Sequence, residues 1–301
     1  MRPTLRQMQY IVAVAETGRF GEAARQLNVS QPSLSAQVAD VEAGLGAQLI
    51  ERGRRGALLT DKGEAFVRRA RIILRQVEDL NAAMQHDPGE LSGRIRLGTL
   101  PTIGPYLLPH AVQTLHQAHP DLRLAVREES TVELDTGLRD GRLDTVISTA
   151  QDHPNCDSLE LFNEDMWVCV SDDDPLAQTI GPVSLNNLEG RTLLTLGPGH
   201  RLAIIVQMLA DRAKAHVNSA YEGTSLDALR QMAATGTGVA ILPSLYALSE
   251  ASRDANLVLR PIQGQLGRRQ VSLVWRKTSP LAPGFATLAE VLQSTAKQIL
   301  D

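Results

Sequence analysis

Three helical patterns separated by short turns occupy the first 45 residues, and this arrangement constrains the fold more than any other feature. Apolar residues at helical spacing predict a first helix, which Gly18 ends: Leu5, Met8, Ile11, Val12 and Ala15. A short second helix is predicted from Gly21 to Leu27. The third starts after Ser30, a good N-cap, carries Pro32 in its first turn and runs to about Leu45. Helix, tight turn, helix is the architecture of a motif that reads DNA.

Side chains suited to base reading are concentrated at the start of the third helix. The predicted DNA-reading segment holds Ser30, Gln31, Pro32, Ser33, Ser35 and Gln37. Their short hydrogen-bonding groups can reach base edges in a major groove, where glutamine suits adenine. Two extended stretches then bracket the segment 53–56 and predict a hairpin wing. Its arginines, Arg52, Arg54 and Arg55, are expected on phosphates or in the minor groove.

The charge distribution supports a nucleic-acid-binding head. Residues 1–75 hold 12 Lys/Arg and 7 Asp/Glu, whereas the remaining residues hold 18 and 27. Arginine can fork onto phosphates and guanine edges, so a basic head on an acidic body suggests DNA binding. The alternative is an ordinary solvated helix surface.

One long helix is predicted over residues 61–86. Apolar residues at heptad spacing predict a dimerisation seam: Phe66, Ala70, Ile73, Val77, Leu80 and Met84. The alternative is an amphipathic helix that packs on its own chain. A homodimer would present two DNA-reading heads to inverted-repeat half-sites of promoter DNA.

From Gly93 onward, strands alternate with helices, which predicts parallel sheets covered by helices. We expect four parts along the chain. They are a winged helix-turn-helix (1–60), a linker helix and hinge (61–90), a first α/β lobe (91–163 with 268–301) and a second lobe (164–267). Ligands in such folds bind at the carboxyl ends of strands, where helix N-termini converge.

Several protein classes are disfavoured by the sequence. No apolar run approaches the ~18 residues of a membrane span, and the N-terminus does not resemble a signal peptide, so we expect a cytoplasmic protein without membrane partners. Two cysteines, Cys156 and Cys169, cannot form a disulfide scaffold. No nucleophile elbow, zinc-protease motif or phosphate-binding loop occurs, and the histidines lack metal-ligand spacing. We therefore expect no enzymatic activity, cofactor or metal.

A family resemblance rests on specific motifs. The stretch 20–46, FGEAARQLNVSQPSLSAQVADVEAGLG, resembles the winged helix-turn-helix of LysR-type transcriptional regulators, and the stretch 51–66, ERGRRGALLTDKGEAF, resembles their wing and linker entry. The resemblance covers the whole chain. It implies one DNA-binding head followed by a two-lobed effector domain like that of periplasmic binding proteins, in dimers and commonly in tetramers.

Within that family the effector part resembles the peroxide-sensing OxyR subfamily. The carrying motifs are PTIGPYLLP (101–109), LLTLGPGHRLAIIVQ (193–207), GTSLDALRQMAATGTGVAILP (223–243) and RRQVSLVWRKTSPL (268–281). The subfamily has its peroxide-reactive cysteine after the histidine that matches His200, where this chain has Arg201, and Ala210 stands at the position of the partner cysteine. Because arginine cannot attack peroxide, we expect a non-covalent effector. Cys169 is expected in the core, and Cys156 in an exposed polar loop.

The resemblance places the effector pocket between the two lobes. Hydroxyl, histidine and arginine side chains at strand ends and helix starts are the candidates: Thr99, Thr102, Ser130, Thr131, Ser148, His200, Arg201, Thr224 and Ser225. With Arg201 among them, an anionic small molecule is expected. Each Ser or Thr could instead be a plain N-cap. Two alternatives stay open: a redox regulator with a non-standard mechanism, and a two-lobed binding protein without DNA function.

Overall fold

The structure, a computed structural model, describes residues 2–53, 56–83, 91–218 and 220–300, and it divides into two compact units. The first unit begins with α1 (Leu5–Thr17), α2 (Phe20–Gln26) and α3 (Gln31–Leu45). The hydroxyl of Ser30 accepts from the backbone N–H of Ser33 at 3.3 Å and caps α3. Gly18 and Gly46 end α1 and α3 in the left-handed conformation, with φ of 67° and 61°. The three predicted helices are confirmed.

A short hairpin and a long helix complete the first unit. Strands β1 (Ile50–Gly53) and β2 (Gly56–Leu59) are antiparallel, with Ile50 opposite Leu59. They form the predicted wing, but Arg54 and Arg55 lie outside the described residues. Helix α4 (Asp61–Ala83) follows the wing.

The predicted dimerisation seam is only partly available on α4. Ala70 is 2% exposed within the core formed by α1, α2 and α3, and half-buried Phe66 packs against the same core. These two residues of the first half of α4 thus pack against their own head, as the amphipathic-helix alternative expects, and the dimerisation seam stays a prediction. Ile73 and Leu80 are 37% and 60% exposed, and Val77 is half-buried. Met84 lies outside the described residues.

Glu42 links α3, the helix predicted to read DNA, to the start of the wing. Its Oε1 accepts from the backbone N–H groups of Leu49 at 2.7 Å and Ile50 at 2.9 Å. We expect Glu42→Ala to leave both donors unpaired and to speed hydrogen exchange of the wing amides by about 30-fold, a cost of about 2 kcal/mol. Glu42→Gln, which keeps an acceptor oxygen, should cost less. Exchange monitored by mass spectrometry measures both, and equal effects would contradict this role.

The second unit contains two five-stranded sheets. Its elements in chain order are β3 (Gly93–Thr99), α5 (Gly104–Ala118), β4 (Leu122–Glu128), α6 (Thr131–Arg139), β5 (Thr145–Ser148), β6 (Cys156–Glu164), β7 (Met166–Ser171), β8 (Thr192–Leu194), α7 (Arg201–Ala213), β9 (His216–Val217), α8 (Leu226–Ala234), β10 (Val239–Pro243), α9 (Ser244–Ser249), β11 (Leu257–Pro261), β12 (Arg269–Arg276) and α10 (Ala282–Leu300). The first sheet has the order β4-β3-β5-β12-β6 and the second β11-β7-β10-β8-β9. The two-lobed α/β class is confirmed, and the proposed lobe boundaries stay a prediction.

Both sheets are mixed, so the expectation of parallel sheets is wrong. In the first sheet, β3, β4 and β5 are parallel, but β12 runs antiparallel to both β5 and β6. In the second, β7 runs antiparallel to β10 and β11. Strand β6 was missed from the sequence because it is largely exposed and its apolar alternation is limited to Leu159 and Leu161. No helix in the described part of the chain is long and apolar enough to cross a membrane.

Candidate DNA-reading and effector-binding sites

The candidate base readers at the start of α3 flank its buried residues and differ in exposure. Leu34 and Val38 are fully buried in the head core, whereas Gln31, Pro32 and Ser33 are exposed. Ser35 and Gln37 are half-buried, and Ser30 is the N-cap. The first turn of α3 is thus the exposed part of the set, which suits entry of the helix start into a major groove.

Arg52 of the wing is held against α2. Its guanidinium carbon lies 4.5 Å from the ring centroid of Phe20, a cation–π contact. Arg52 remains exposed at the edge of the hairpin. This contact links the wing to α2 and leaves the positive charge exposed, as a phosphate contact would require.

Four predicted effector residues share one edge of the first sheet. The parallel strands β3, β4 and β5 end at Thr99, before Ser130 and Thr131, and at Ser148. The backbone N–H of Glu129 donates to the Thr99 carbonyl at 3.1 Å, which holds two of these ends together. This edge corresponds to the ligand-binding edge of open α/β sheets.

Arg201 reaches this edge from the second sheet. It begins α7, and its guanidinium lies 3.0 Å from Oδ1 of Asp152 in the segment after β5. The preceding residue, His200, is buried, and burial lowers its pKa while the Glu133 carboxylate opposes that shift. The structure therefore brings the ends of β4 and β5 together with the start of α7.

Buried polar atoms without a hydrogen-bond partner among the described residues are frequent here. They are Thr131 Oγ1, Ser148 Oγ, Thr149 Oγ1, Asp152 Oδ2 and Arg201 Nε, and Thr195 Oγ1 after β8 of the second sheet is another such atom. Buried polar groups are nearly always hydrogen-bonded, so these atoms require partners from outside the chain, either solvent or a polar ligand. Thr149, Asp152 and Thr195 were missed from the sequence. Their signal was available, since each follows the carboxyl end of a strand.

Other predicted effector residues have structural roles. Ser225 is exposed and caps α8, accepting from Ala228 N–H at 3.3 Å, and Thr224 beside it is exposed. Ser130 makes a reciprocal cap with Glu133 at the start of α6. Thr102 accepts from Arg269 at 3.0 Å. For Ser130 and Ser225 the plain N-cap alternative describes the observed bonds.

A buried ion pair lies in the first sheet, at the two points where the chain crosses between the sheets, and was missed from the sequence. Arg269 Nε donates to Glu164 Oε2 at 2.6 Å, and Glu164 Oε1 accepts from Leu245 N–H at 3.1 Å. The two side chains are 2% and 0% exposed. Glu164 ends β6 and Arg269 begins β12, where the chain passes between the sheets. Nothing in the sequence distinguishes these two charges from surface ones.

The two cysteines are poorly suited to peroxide chemistry. Cys169 is fully buried in β7, as predicted, and burial raises its pKa to about 12. Cys156 begins β6 and is half-buried, so its expected place in an exposed loop is wrong. Burial, followed by the nearby Asp135 carboxylate, raises the pKa of the Cys156 thiol. Both groups are protonated at neutral pH, whereas the thiolate is the nucleophile.

His153 gives the second unit a dependence on pH. Its ring is 2% exposed, with Nδ1 3.3 Å from Asp135, and burial lowers its pKa despite that carboxylate. The unfolded chain therefore binds more protons, and stability is lost as pH falls below about 6.5, by at most about 1.4 kcal/mol per pH unit. Urea unfolding at pH 7.5 and 5.5 should show this loss. His153→Asn should reduce it, and His216→Asn, at an exposed position, should not.

Comparisons with known proteins agree with this architecture. The LysR substrate binding domain family matches residues 88–297, and the bacterial regulatory helix-turn-helix family of lysR type matches residues 5–64. A hydrogen peroxide-inducible genes activator of Haemophilus influenzae is 36% identical, covering 99% of this chain and 98% of its own.

Two solved structures are also similar. A full-length OxyR variant of Pseudomonas aeruginosa is 30% identical, with a TM-score of 0.78 over 97% of this chain and 98% of that one. Full-length CbnR complexed with target DNA is 26% identical, with a TM-score of 0.55 over 97% and 99% of the two chains. The chain belongs to the LysR family of DNA-binding transcriptional regulators.

Proposed function

We propose that this regulator senses a small anion that binds non-covalently at Arg201. The carrying observation is the pairing of Arg201 with Asp152 amid buried polar atoms that lack protein partners. A guanidinium at a helix N-terminus is a strong anion site, because its fork and the helix dipole act together. Asp152 occupies that guanidinium, so a ligand carboxylate would compete with it.

Displacement of Asp152 from Arg201 by the anion would explain how the effector changes the arrangement of the two lobes. Arg201 belongs to the second sheet's helix α7 and Asp152 to the first sheet's β5 end, so the ion pair links the two lobes. An anion that takes over Arg201 would favour a different lobe arrangement. In a homodimer or homotetramer, that change would alter subunit packing and the bend of DNA bound at inverted half-sites. This function places the protein in the cytoplasm.

A peroxide-responsive mechanism is the second candidate, because the Haemophilus influenzae relative is named a hydrogen peroxide-inducible genes activator. Two observations argue against peroxide sensing. Burial raises the pKa of both thiols, and Cys156 and Cys169 lie in different sheets. The site contains arginine where a reactive thiol would be required. The chain is a regulator and not an enzyme, so no turnover of the effector is proposed.

A footprint on the DNA upstream of its own gene, before and after peroxide, separates the two candidates. We expect an unchanged footprint with peroxide and a changed one with one member of a panel of small carboxylates. A peroxide-dependent change that disappears in Cys156→Ser would overturn the non-covalent proposal. The DNA-reading residues on α3 and Arg52 are proposed contacts, and Arg52→Ala should weaken binding to all sequences.

A further inference from the structure

A chain of amide hydrogen bonds connects α1 to the DNA-reading helix. Gln7 is 6% exposed, and its Oε1 accepts from the backbone N–H of Thr4 at 2.9 Å and from the Thr4 hydroxyl at 3.3 Å. The Thr4 hydroxyl in turn accepts from Gln7 N–H at 3.2 Å. The Nε2 of Gln7 donates to Oε1 of Gln37 on α3 at 3.2 Å.

The donor and acceptor of each of these hydrogen bonds are fixed by one backbone group, the N–H of Thr4. The Thr4 N–H can only donate, so the oxygen of Gln7 must face Thr4 and its NH₂ must face Gln37. Because the Gln7 NH₂ donates, the Gln37 amide must face it with an acceptor, which is its Oε1. The NH₂ of Gln37 is therefore left on the other branch of its amide, away from Gln7.

We infer that Gln7 is a positioning residue that makes Gln37 a hydrogen-bond donor toward DNA. The inference rests on the proposed reading face of α3. A bidentate contact with adenine needs both a donor and an acceptor from glutamine, and Gln7 holds the Gln37 oxygen on the side away from the Gln37 NH₂ and occupies one of its two lone pairs. Guanine presents two acceptors, N7 and O6, in the major groove. We therefore expect Gln37 to favour guanine, which offers its NH₂ two acceptors, over adenine, which offers one acceptor beside an amino donor, in place of the adenine preference expected from the sequence.

Substituting Gln7→Glu tests this polarity without removing the helix cap. A glutamate oxygen still accepts from Thr4 and completes the capping box. It cannot donate, so the Gln37 amide must turn, give its NH₂ to the carboxylate and present its oxygen outward. The base selected by Gln37 should change from guanine to one that presents an amino group, cytosine or adenine.

The measurement is selection of sites by the full-length protein from a randomised DNA library, followed by affinities for single-base variants. Gln37→Ala first identifies the base position, where discrimination should fall by about tenfold. Gln7→Glu should invert preference at that same position, and Gln7→Leu should weaken preference there without inverting it. Gln9→Glu, an exposed position on α1, adds the same charge and should leave base preference unchanged.

The outcomes separate two failures. If Gln37→Ala changes preference at no position, the proposed reading contact is wrong and the inference fails with it. If Gln37→Ala acts at one position but Gln7→Glu selects the same base there as the parent protein, the contact stands and the positioning role of Gln7 is overturned.

Discussion

Replacing Arg269 with methionine should destabilise the second unit by about 3–5 kcal/mol, the loss expected when one partner of a buried ion pair is removed. Glu164 would keep its bond from Leu245 N–H but lose its counter-charge in a site with no solvent access. The Thr102 hydroxyl would also lose the guanidinium donor. Both crossings between the sheets would be affected, because the pair lies where β6 ends and β12 begins.

The two tryptophans make this loss measurable. Trp167 lies in the second sheet and Trp275 in the first, so intrinsic fluorescence during urea unfolding follows both sheets. The control is Arg253→Met, whose partner Glu250 is on the surface with side chains 71% and 43% exposed, and it should cost less than about 1 kcal/mol. Similar losses in the two variants would refute the special role of the buried pair.

A second variant distinguishes pairing from packing. Glu164→Leu combined with Arg269→Met removes both charges and should recover most of the stability lost in Arg269→Met alone. If the double variant is as unstable as the single one, the bonds to Leu245 and Thr102 matter more than the charge pair.

The fold could be predicted from the sequence more completely than the candidate site could, and the reasons are physical. Helix caps such as Ser30 and Gly18 act locally, so their chemistry is visible in the neighbouring residues. The pairing of Glu164 with Arg269 joins residues far apart in sequence, and no local pattern marks either one. Strand β6 was not predicted because most of its residues are exposed and its sequence carries little apolar pattern.

The effector site shows the same limit. Thr99 and Ser148 could be placed at one edge because parallel strands end together. That Asp152 pairs with Arg201 depends on how the two sheets face each other, which periodicity does not specify. The heptad pattern on α4 was ambiguous for a similar reason. A helix stripe does not reveal its partner, and Ala70 covers its own head.

Arg201→Ala and Asp152→Asn should change anion affinity in opposite directions. Loss of the guanidinium removes a charge-assisted contact and should weaken the best-binding small carboxylate by about 10- to 100-fold. Loss of the Asp152 charge removes the internal competitor and should tighten binding by about tenfold. Opposite signs are specific to competition, because a general loss of structure would weaken binding in both variants.

A second arginine–aspartate pair provides a matched control. Arg191 bonds Asp174, with side chains 28% and 16% exposed, compared with 26% and 16% for Arg201 and Asp152. Arg191→Ala and Asp174→Asn should therefore leave carboxylate affinity unchanged when titrated by calorimetry. If Arg201→Ala binds as tightly as the parent protein, the anion contacts other groups and the proposed sensor site is wrong. If Asp152→Asn weakens binding, Asp152 orients Arg201 for the ligand rather than competing with it, and the displacement mechanism fails while the anion site remains.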